Sequence, residues 1–288
     1  MKPLFATEPL ERASFVDRPN RFIVRVRRGR RTVRAYLANP GRMGEILLPG
    51  VDLLLARRPR TKTGVEAVGA AWSRRWPGDR PRVVFLNTGR MNAIAARMLD
   101  RGLVPGLEER RIVRREPRHG GSRFDFELDG GTLLEVKSVS LVERGLALFP
   151  DAKTERGRRH LMELARRGNG AVLFLVQGPA RRFLPDLHND LAFARALRGV
   201  RGRIDVRAVR VEPSLDGDGR IVFRRRPAAV PVPWDLLERL DGDAGAYVLL
   251  LEGAAAWHAY VGHAEDGLTR AMDARLRVRR RPRDEVDA

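Results

Sequence analysis

The chain has 288 residues, of which 43% are hydrophobic, and its 56 basic against 36 acidic side chains give a formal net charge of +20. The absence of cysteine excludes disulfide scaffolds, zinc–thiolate sites, iron–sulfur clusters and cysteine nucleophiles. Arginine supplies 52 of the basic residues, and the four lysines are Lys2, Lys62, Lys137 and Lys153. The excess charge predicts a polyanionic partner, most simply nucleic acid, although a merely solvated basic surface is the alternative.

Neither an export signal nor a membrane span is predicted from the pattern. Glu8 and Glu11 interrupt the N-terminal segment where a signal peptide has an apolar run, and apolar stretches such as Ala171–Val176 are too short to span a bilayer. We therefore expect a globular protein of the cytoplasm that does not bind a membrane.

Five short strands are predicted near the N-terminus, where alternating or β-branched runs are separated by turn residues. They are Arg21–Arg27, Arg31–Leu37, Val51–Arg57, Glu66–Arg75 and Arg82–Asn87. This pattern favours a small barrel such as an OB-fold. Asn39–Gly50 predicts a turn with a short helix, and Arg90–Arg101 predicts an amphipathic helix. Phe22, Tyr36 and Trp72 either pack in the barrel core or stack on nucleic-acid bases.

Strands and helices alternate in the second half of the chain, which favours an α/β domain with a mixed sheet. The predicted strands are Ser122–Leu128, Thr132–Val139, Leu146–Phe149, Ala171–Gln177, Ile204–Val211 and Arg220–Arg224. Helices are predicted over Thr154–Arg167 and Asn189–Leu197, and the prolines of Pro227–Pro233 predict an extended linker.

A candidate site lies on the first two strands of this domain. Alternation along Ser122–Leu128 places Phe124 and Phe126 on one face and Asp125 on the other, and Glu135 and Lys137 share a face of the next strand. Two carboxylates on adjacent strands can hold Mg²⁺ against a phosphate, and an amine beside them can position a water. The alternative is a cross-strand charge network without ligand.

A second polar cluster runs from Phe149 into the following helix. Thr154 is a candidate N-cap, and helical spacing places Arg156 and His160 on a polar face opposite Leu161 and Leu164. Lys153 and Arg156 could then overhang the carboxylates. His160 either orients a water or acts as a base, or is an ordinary surface histidine, and Asp151 is expected in the loop beside the site.

Several motifs together resemble the sugar fermentation stimulation protein family, SfsA, over residues 8–226. They are Arg18-Pro-Asn-Arg-Phe22, Asn39-Pro-Gly-Arg-Met43, Ser122-Arg-Phe-Asp-Phe126, Glu135-Val-Lys137, Phe149-Pro-Asp-Ala152, Thr154-Glu-Arg-Gly157 and His160-Leu161. The order Asp125, nine residues, Glu135-Val-Lys137 also resembles the PD-(D/E)xK nuclease signature, with Phe124 in place of the proline.

The resemblance implies an α+β / α/β architecture: an OB-fold-like domain over residues 1–82, then a PD-(D/E)xK nuclease-like domain over 83–226. It also implies DNA binding and a Mg²⁺-dependent nuclease site, in which Asp125 and Glu135 bind the metal and Lys137 completes the catalytic set. Residues expected to line that site or to bind nucleic acid are Asp151, Lys153, Thr154, Arg156, His160, Arg21, Arg42 and Arg123. The alternative is a non-catalytic DNA-binding regulator of sugar fermentation or maltose metabolism that retains the nuclease fold.

The tail beyond the predicted linker, residues 227–240, carries a weaker resemblance. Gly245-Ala-Tyr247 and Tyr260-Val-Gly262 resemble the opening of a GIY-YIG nuclease domain. Residues 241–288 are too few for the later helix and metal-binding glutamate of that fold. We therefore interpret the tail as truncated or degenerate.

Overall fold

The structure is a computed structural model that describes residues 3–72, 82–143, 145–223, 226–238, 247–252 and 257–262. None of the helices in these ranges is both long and apolar enough to cross a membrane. The first part of the chain is built from strands, which are β1 (Phe5–Ala6), β2 (Glu11–Asn20), β3 (Ile23–Arg28), β4 (Arg31–Tyr36), β5 (Asp52–Arg57), β6 (Val65–Trp72) and β7 (Arg82–Phe85).

Strands β2 to β6 form a closed five-stranded barrel in the order β4-β3-β2-β5-β6, and Tyr36 of β4 pairs with Glu66 of β6 to close it. The predicted N-terminal barrel is therefore confirmed. Its strand β2 was missed by the sequence pattern, because Asp17 and Pro19 break the alternation where the β2–β3 register shifts. The predicted strand Arg82–Asn87 is β7, which lies beside β6 outside the closed ring. The boundary predicted between residues 82 and 83 falls inside it.

The rest of the chain alternates between helices and strands. Its elements are α1 (Thr88–Asp100), β8 (Ile112–Arg115), β9 (Arg118–His119), β10 (Ser122–Arg123), β11 (Phe126–Leu128), β12 (Thr132–Val139), β13 (Leu141–Glu143), β14 (Leu146–Phe149), α2 (Glu155–Arg167), β15 (Gly170–Val176), β16 (Arg182–Pro185), α3 (Leu191–Gly199), β17 (Asp205–Arg210), β18 (Pro213–Leu215), β19 (Ile221–Phe223), β20 (Ala228–Val230), α4 (Trp234–Glu238), β21 (Tyr247–Glu252) and β22 (Trp257–Gly262).

A six-stranded mixed sheet in the order β20-β17-β15-β12-β11-β8 organises this second domain, as predicted. The neighbours β12, β15 and β17 run parallel, whereas the outer strands pair antiparallel. Every residue of β15 is buried, which is typical of a parallel strand covered on both faces. The barrel and α1 pack on one face, and α2 and α3 pack on the other.

The predicted strand Ser122–Leu128 is divided in the structure into β10 and β11, with Phe124 and Asp125 in the gap. Phe124 packs in the core beneath α2, whereas Phe126 packs in the core beneath the barrel. The prediction that both rings face the same way was therefore wrong. Uninterrupted alternation fails here because the chain leaves the extended ladder at Asp125.

Two further segments differ from expectation. Asn39–Gly50 contains turns without the expected helix, because Met43 has a left-handed backbone (φ 49°) and prolines flank the apolar run. The predicted linker is not isolated over residues 228–238, since β20 pairs with β17 and Leu237 is fully buried. In the tail, β21 and β22 form an antiparallel hairpin, and the rest of the GIY-YIG-like segment lies outside the described residues.

Candidate metal and phosphodiester site

The three predicted catalytic residues lie together at β12: Glu135 and Lys137 are on the face of the sheet that α2 covers, and Asp125 is beside them where β10 and β11 are interrupted. Glu135 and Lys137 alternate with Val136 on β12, and they share their face with Leu133 and Val139, which pack beneath α2. The Asp125 Oδ2 atom accepts a hydrogen bond of 2.7 Å from the Val136 N–H. The carboxylate of Asp125 is therefore fixed to β12 between the two other residues, as the strand pairing predicted.

The Asp125 carboxylate is held by one further residue that the sequence analysis did not identify. Asn92, on α1, donates a 2.5 Å hydrogen bond from Nδ2 to Asp125 Oδ1. Burial, reinforced by the negative charge of Glu135, raises the pKa of Asp125 to about 6, although the donors Val136 and Asn92 and the charge of Lys137 oppose the shift. Asp125 is thus an aspartate that is costly to ionise.

Glu135 is nearly fully buried and is surrounded by cationic or donor groups. Its Oε1 atom lies 2.5 Å from Lys137 Nζ and 2.7 Å from His160 Nδ1. Burial would raise the pKa of Glu135, but the hydrogen bond with His160 and the charge of Lys137 outweigh it, so that the pKa is lowered. Glu135 is therefore the carboxylate that stays ionised.

His160 lies on the opposite side of α2 from the one expected. Its side chain is 1% exposed and its ring centroid lies 5.3 Å from that of Phe124. The helix turns this histidine inward with Leu161 and Leu164 because its apolar edge packs on Phe124 while Nδ1 reaches Glu135. The assignment of His160 to the polar face was wrong, whereas its placement beside the carboxylates is as expected.

The carboxylates fit a hard divalent cation. The Glu135 Oε2 atom is buried and accepts no hydrogen bond from the described residues, and an orphaned buried oxygen of this kind requires an explanation. Each Asp125 oxygen accepts one bond and keeps a lone pair free. Within the described ranges no group of three or more acidic or histidine side chains is arranged for a metal. Two carboxylates suit Mg²⁺, which keeps several waters and phosphate oxygens as its other ligands.

The start of α2 has a structural role in the described contacts. The Thr154 Oγ1 atom accepts from the Gly157 N–H at 3.1 Å, which confirms the predicted N-cap, and the Thr154 N–H donates to Asp190 Oδ2 at 2.7 Å. Asp190 in turn caps α3 by accepting from the Phe193 N–H. Lys153 and Arg156 are exposed. Contact of these two side chains with substrate stays a prediction.

Asp151 contacts the barrel. Its Oδ2 atom accepts a 3.1 Å hydrogen bond from the Met43 N–H, and the backbone of Gly41 approaches the same carboxylate. The guanidinium of Arg18 fastens this loop by donating to four carbonyl oxygens, those of Arg21, Asn39, Gly41 and Arg42. The Asn39–Met43 loop therefore joins the barrel to the segment that leads into α2.

Gly41→Ala is expected to destabilise the protein by about 1–3 kcal/mol, the usual cost of overpacking. A Cβ at this position would lie 2.5 Å from Asp151 Oδ2, so the carboxylate must move and release the Met43 N–H. Urea unfolding of the single variants and of Gly41→Ala/Asp151→Ala measures this contact.

The double variant should be more stable than the sum of the single effects, because removing the carboxylate relieves the clash. Gly44→Ala is the matched control, since no described atom lies within 4 Å of the new Cβ. Strict additivity of Gly41→Ala and Asp151→Ala would contradict the contact.

The three arginines assigned to nucleic-acid binding are all exposed. Arg21 covers the ring of Phe22 at 5.1 Å, and Arg123 lies 3.5 Å from Glu116. Arg42 occupies the Asn39–Met43 loop, where its carbonyl accepts from Arg18. Contact of these side chains with nucleic acid stays a prediction.

Asp125→Asn is expected to stabilise the metal-free protein at neutral pH. A carboxyl pKa raised from 3.8 to about 6 means that folding favours the protonated form, so stability is lost as the pH rises through this range. At pH 7.5 the ionised group costs about 3 kcal/mol, from ~1.4 kcal/mol per pKa unit. The variant should recover about 2 kcal/mol of this, since an asparagine oxygen can accept only part of the present hydrogen bonds.

Urea unfolding in chelator at pH 7.5 and at pH 4 checks this expectation. The gain should vanish at pH 4, where the folded wild type is already protonated, and Asp218→Asn, whose side chain is 70% exposed, should change little at either pH. Destabilisation by Asp125→Asn at both pH values would mean that the carboxylate serves only as a hydrogen-bond acceptor.

Comparison with known proteins agrees with this architecture. Residues 16–78 match the family model described as the SfsA N-terminal OB domain, and residues 89–217 match the sugar fermentation stimulation protein RE domain. A sugar fermentation stimulation protein homolog of Chloroflexus aurantiacus is 40% identical over 225 residues, which cover 74% of this chain and 84% of that protein. The homolog of Methanothermobacter thermautotrophicus is 38% identical over 208 residues, covering 69% and 83%.

A solved structure is also similar. Pyrococcus furiosus SfsA, determined in complex with Ca²⁺, superposes with a TM-score of 0.69 at 28% sequence identity, covering 81% of this chain and 99% of that one. The motif residues, barrel strands β3–β6 and sheet strands β8, β11, β12, β15 and β17 all lie in the regions that the two family models match. The chain therefore belongs to the sugar fermentation stimulation protein (SfsA) family.

Proposed function

We propose that this protein is a DNA-binding, Mg²⁺-dependent nuclease that hydrolyses phosphodiester bonds, with the metal held by Asp125 and Glu135. The observation that carries the proposal is that two carboxylates and one ammonium group lie together at β12, with the buried Glu135 Oε2 left without a hydrogen-bond donor among the described residues. The related Pyrococcus furiosus protein is described in complex with Ca²⁺, another hard cation that oxygen ligands bind.

The residues around the proposed metal have different roles. A bound Mg²⁺ would supply a Lewis acid that neutralises negative charge on the phosphoryl group. Lys137 donates one N–H to Glu135 and keeps two donors for the attacking water and a phosphate oxygen. His160 holds Glu135 from the helix side, and Asn92 holds Asp125, so both carboxylates are oriented before substrate arrives.

The net positive charge of the chain supports nucleic acid as the substrate. The net charge of +20 attracts a polyanion and releases counterions when phosphates bind. DNA is the substrate that we propose first. The competing proposal is a DNA-binding regulator without turnover, and its support is that Lys137 and His160 both engage Glu135 Oε1, as a self-contained charge network would.

The deciding experiment measures cleavage and binding separately. End-labelled single- and double-stranded DNA and RNA are incubated with wild type and with Glu135→Gln, in Mg²⁺ and in EDTA. We expect cleavage by wild type in Mg²⁺ alone, and salt-sensitive binding by both proteins. Absence of cleavage on all four substrates, or equal cleavage by Glu135→Gln purified in parallel, would reject the nuclease. Binding that survives Asp125→Ala/Glu135→Ala without any wild-type cleavage would favour the regulator.

A further inference from the structure

An exposed pair of aromatic rings lies on the barrel surface. Phe22 and Tyr36 are 40% and 41% exposed, and their ring centroids are 6.5 Å apart with planes inclined by 18°. All eleven phenylalanines lie in the described ranges, and Phe22 is the exposed one among them. The two rings therefore stay out of the core, lie nearly parallel to each other and keep about two-fifths of their surface exposed.

Cationic groups surround this pair. The Arg21 guanidinium lies over the Phe22 ring at 5.1 Å. Strand alternation puts Arg34 on the same outward face as Tyr36, two residues or about 7 Å along β4. Arg34 also lies directly opposite Arg25, a like-charge pair that is destabilising across strands, and Asp17 neutralises only Arg25. The face thus has flat apolar rings beside excess positive charge.

The pair is joined to the candidate site by a continuous series of contacts. Arg18 donates to the Arg21 carbonyl beside Phe22 and to the carbonyls of the Asn39–Met43 loop. Met43 of that loop donates to Asp151, which precedes α2 and its inward His160. The Asn39–Met43 loop therefore connects the turn that carries Phe22 to the segment that leads into α2.

We propose that Phe22 and Tyr36 form a stacking platform for the unpaired bases of a single-stranded nucleic acid, whose phosphates are bound by Arg21 and Arg34. Bases in a duplex cannot offer their faces to side chains, whereas an unpaired strand offers every base face together with a regular row of phosphates. This inference specifies single-stranded nucleic acid as the substrate class of the proposed function. It depends on that function only in assuming that the ligand is a nucleic acid.

Binding in EDTA tests the platform without any cleavage. Anisotropy of a short labelled oligo(dT) is compared with that of a duplex of the same length, with oligo(U) as a second arm that distinguishes DNA from RNA. Phe22→Ala/Tyr36→Ala should weaken the binding of the single-stranded probes about 10-fold or more and change the binding of the duplex little. Phe22→Trp should retain affinity, because a flat ring is preserved.

Two matched variants separate stacking from general apolar contact. Tyr36→Leu keeps bulk but removes the ring and should weaken binding, whereas Leu48→Ala, at a residue 39% exposed in the same domain, should not. Unchanged oligo(dT) and oligo(U) affinity in the double variant, or an equal loss for the duplex, would overturn the platform. Selective loss in a protein that cleaves nothing would reject the nuclease and retain the platform.

Discussion

Lys137→Met is expected to lower Mg²⁺-dependent cleavage by about 100-fold or more, the typical effect of removing one donor that stabilises charge in a transition state. The methionine chain occupies similar space on β12 but has no N–H to donate. Glu135 then loses its ammonium partner while His160 remains 2.7 Å away, so the carboxylate stays oriented. Single-turnover cleavage at saturating enzyme measures the chemical step directly.

Lys62→Met is the matched control, because Lys62 is an exposed lysine in the turn between β5 and β6. It removes the same charge and should leave the rate near that of wild type. Lys137→Arg should remain slow, since a planar guanidinium cannot occupy the position of a compact ammonium. Cleavage by Lys137→Met at the wild-type rate would remove Lys137 from the mechanism.

Gln177→Ala is expected to destabilise the protein by about 3 kcal/mol or more, because buried donors and acceptors would lose their partners. Gln177 is 1% exposed and follows β15. Its Oε1 accepts from the Phe85 N–H at 2.8 Å, and its Nε2 donates to the Phe85 carbonyl and to Ser138 Oγ at 2.9 Å each. One amide thus pairs with strand β7 as a backbone residue would, and it also contacts β12, the strand that carries Lys137.

Gln177→Met separates the hydrogen bonds from the volume. It fills the space but leaves Phe85 unpaired, so most of the loss should persist, and the difference from Gln177→Ala gives the cavity contribution. Urea unfolding with matched m-values measures both variants. A Gln177→Met protein as stable as wild type would show that these hydrogen bonds contribute little.

Motif residues and alternation were sufficient to predict the centre of the site. Period-two alternation puts Glu135 and Lys137 on one face of β12, and Asp125 directly precedes β11, which pairs with β12 across a tight turn, so the proximity of the three residues follows from pairing that is local in sequence. The barrel was predictable for the same reason. Strand β2 was not, because its polar and proline residues hide a strand whose partners, β3 and β5, supply the pairing.

Contacts between distant segments escaped the pattern. Asn92 lies 33 residues from Asp125, and a polar residue beside the apolar stripe of a helix gives no indication of its partner. Gln177 could have been identified from the sequence. It is the single glutamine of the chain, and it directly follows an apolar strand, where a polar side chain indicates a specific hydrogen-bonding role. His160 was placed on the wrong helix face because the helical pattern was assigned by polarity, and histidine counts as polar. In the structure the His160 side chain is buried because it contacts the buried carboxylate of Glu135.

The pairing of β1 with β19 affects how the chain folds during synthesis. Leu4 and Phe5 pack in the core between the barrel and the sheet, and the Leu4 and Thr7 amides donate to the carbonyls of Phe223 and Ile221. The ribosome synthesises the chain from the N-terminus to the C-terminus, so the first ten residues emerge long before β19, their partner strand, is made. During synthesis, closure of the N-terminal segment therefore requires that residues 221–223 have emerged, after most of the mixed-sheet domain.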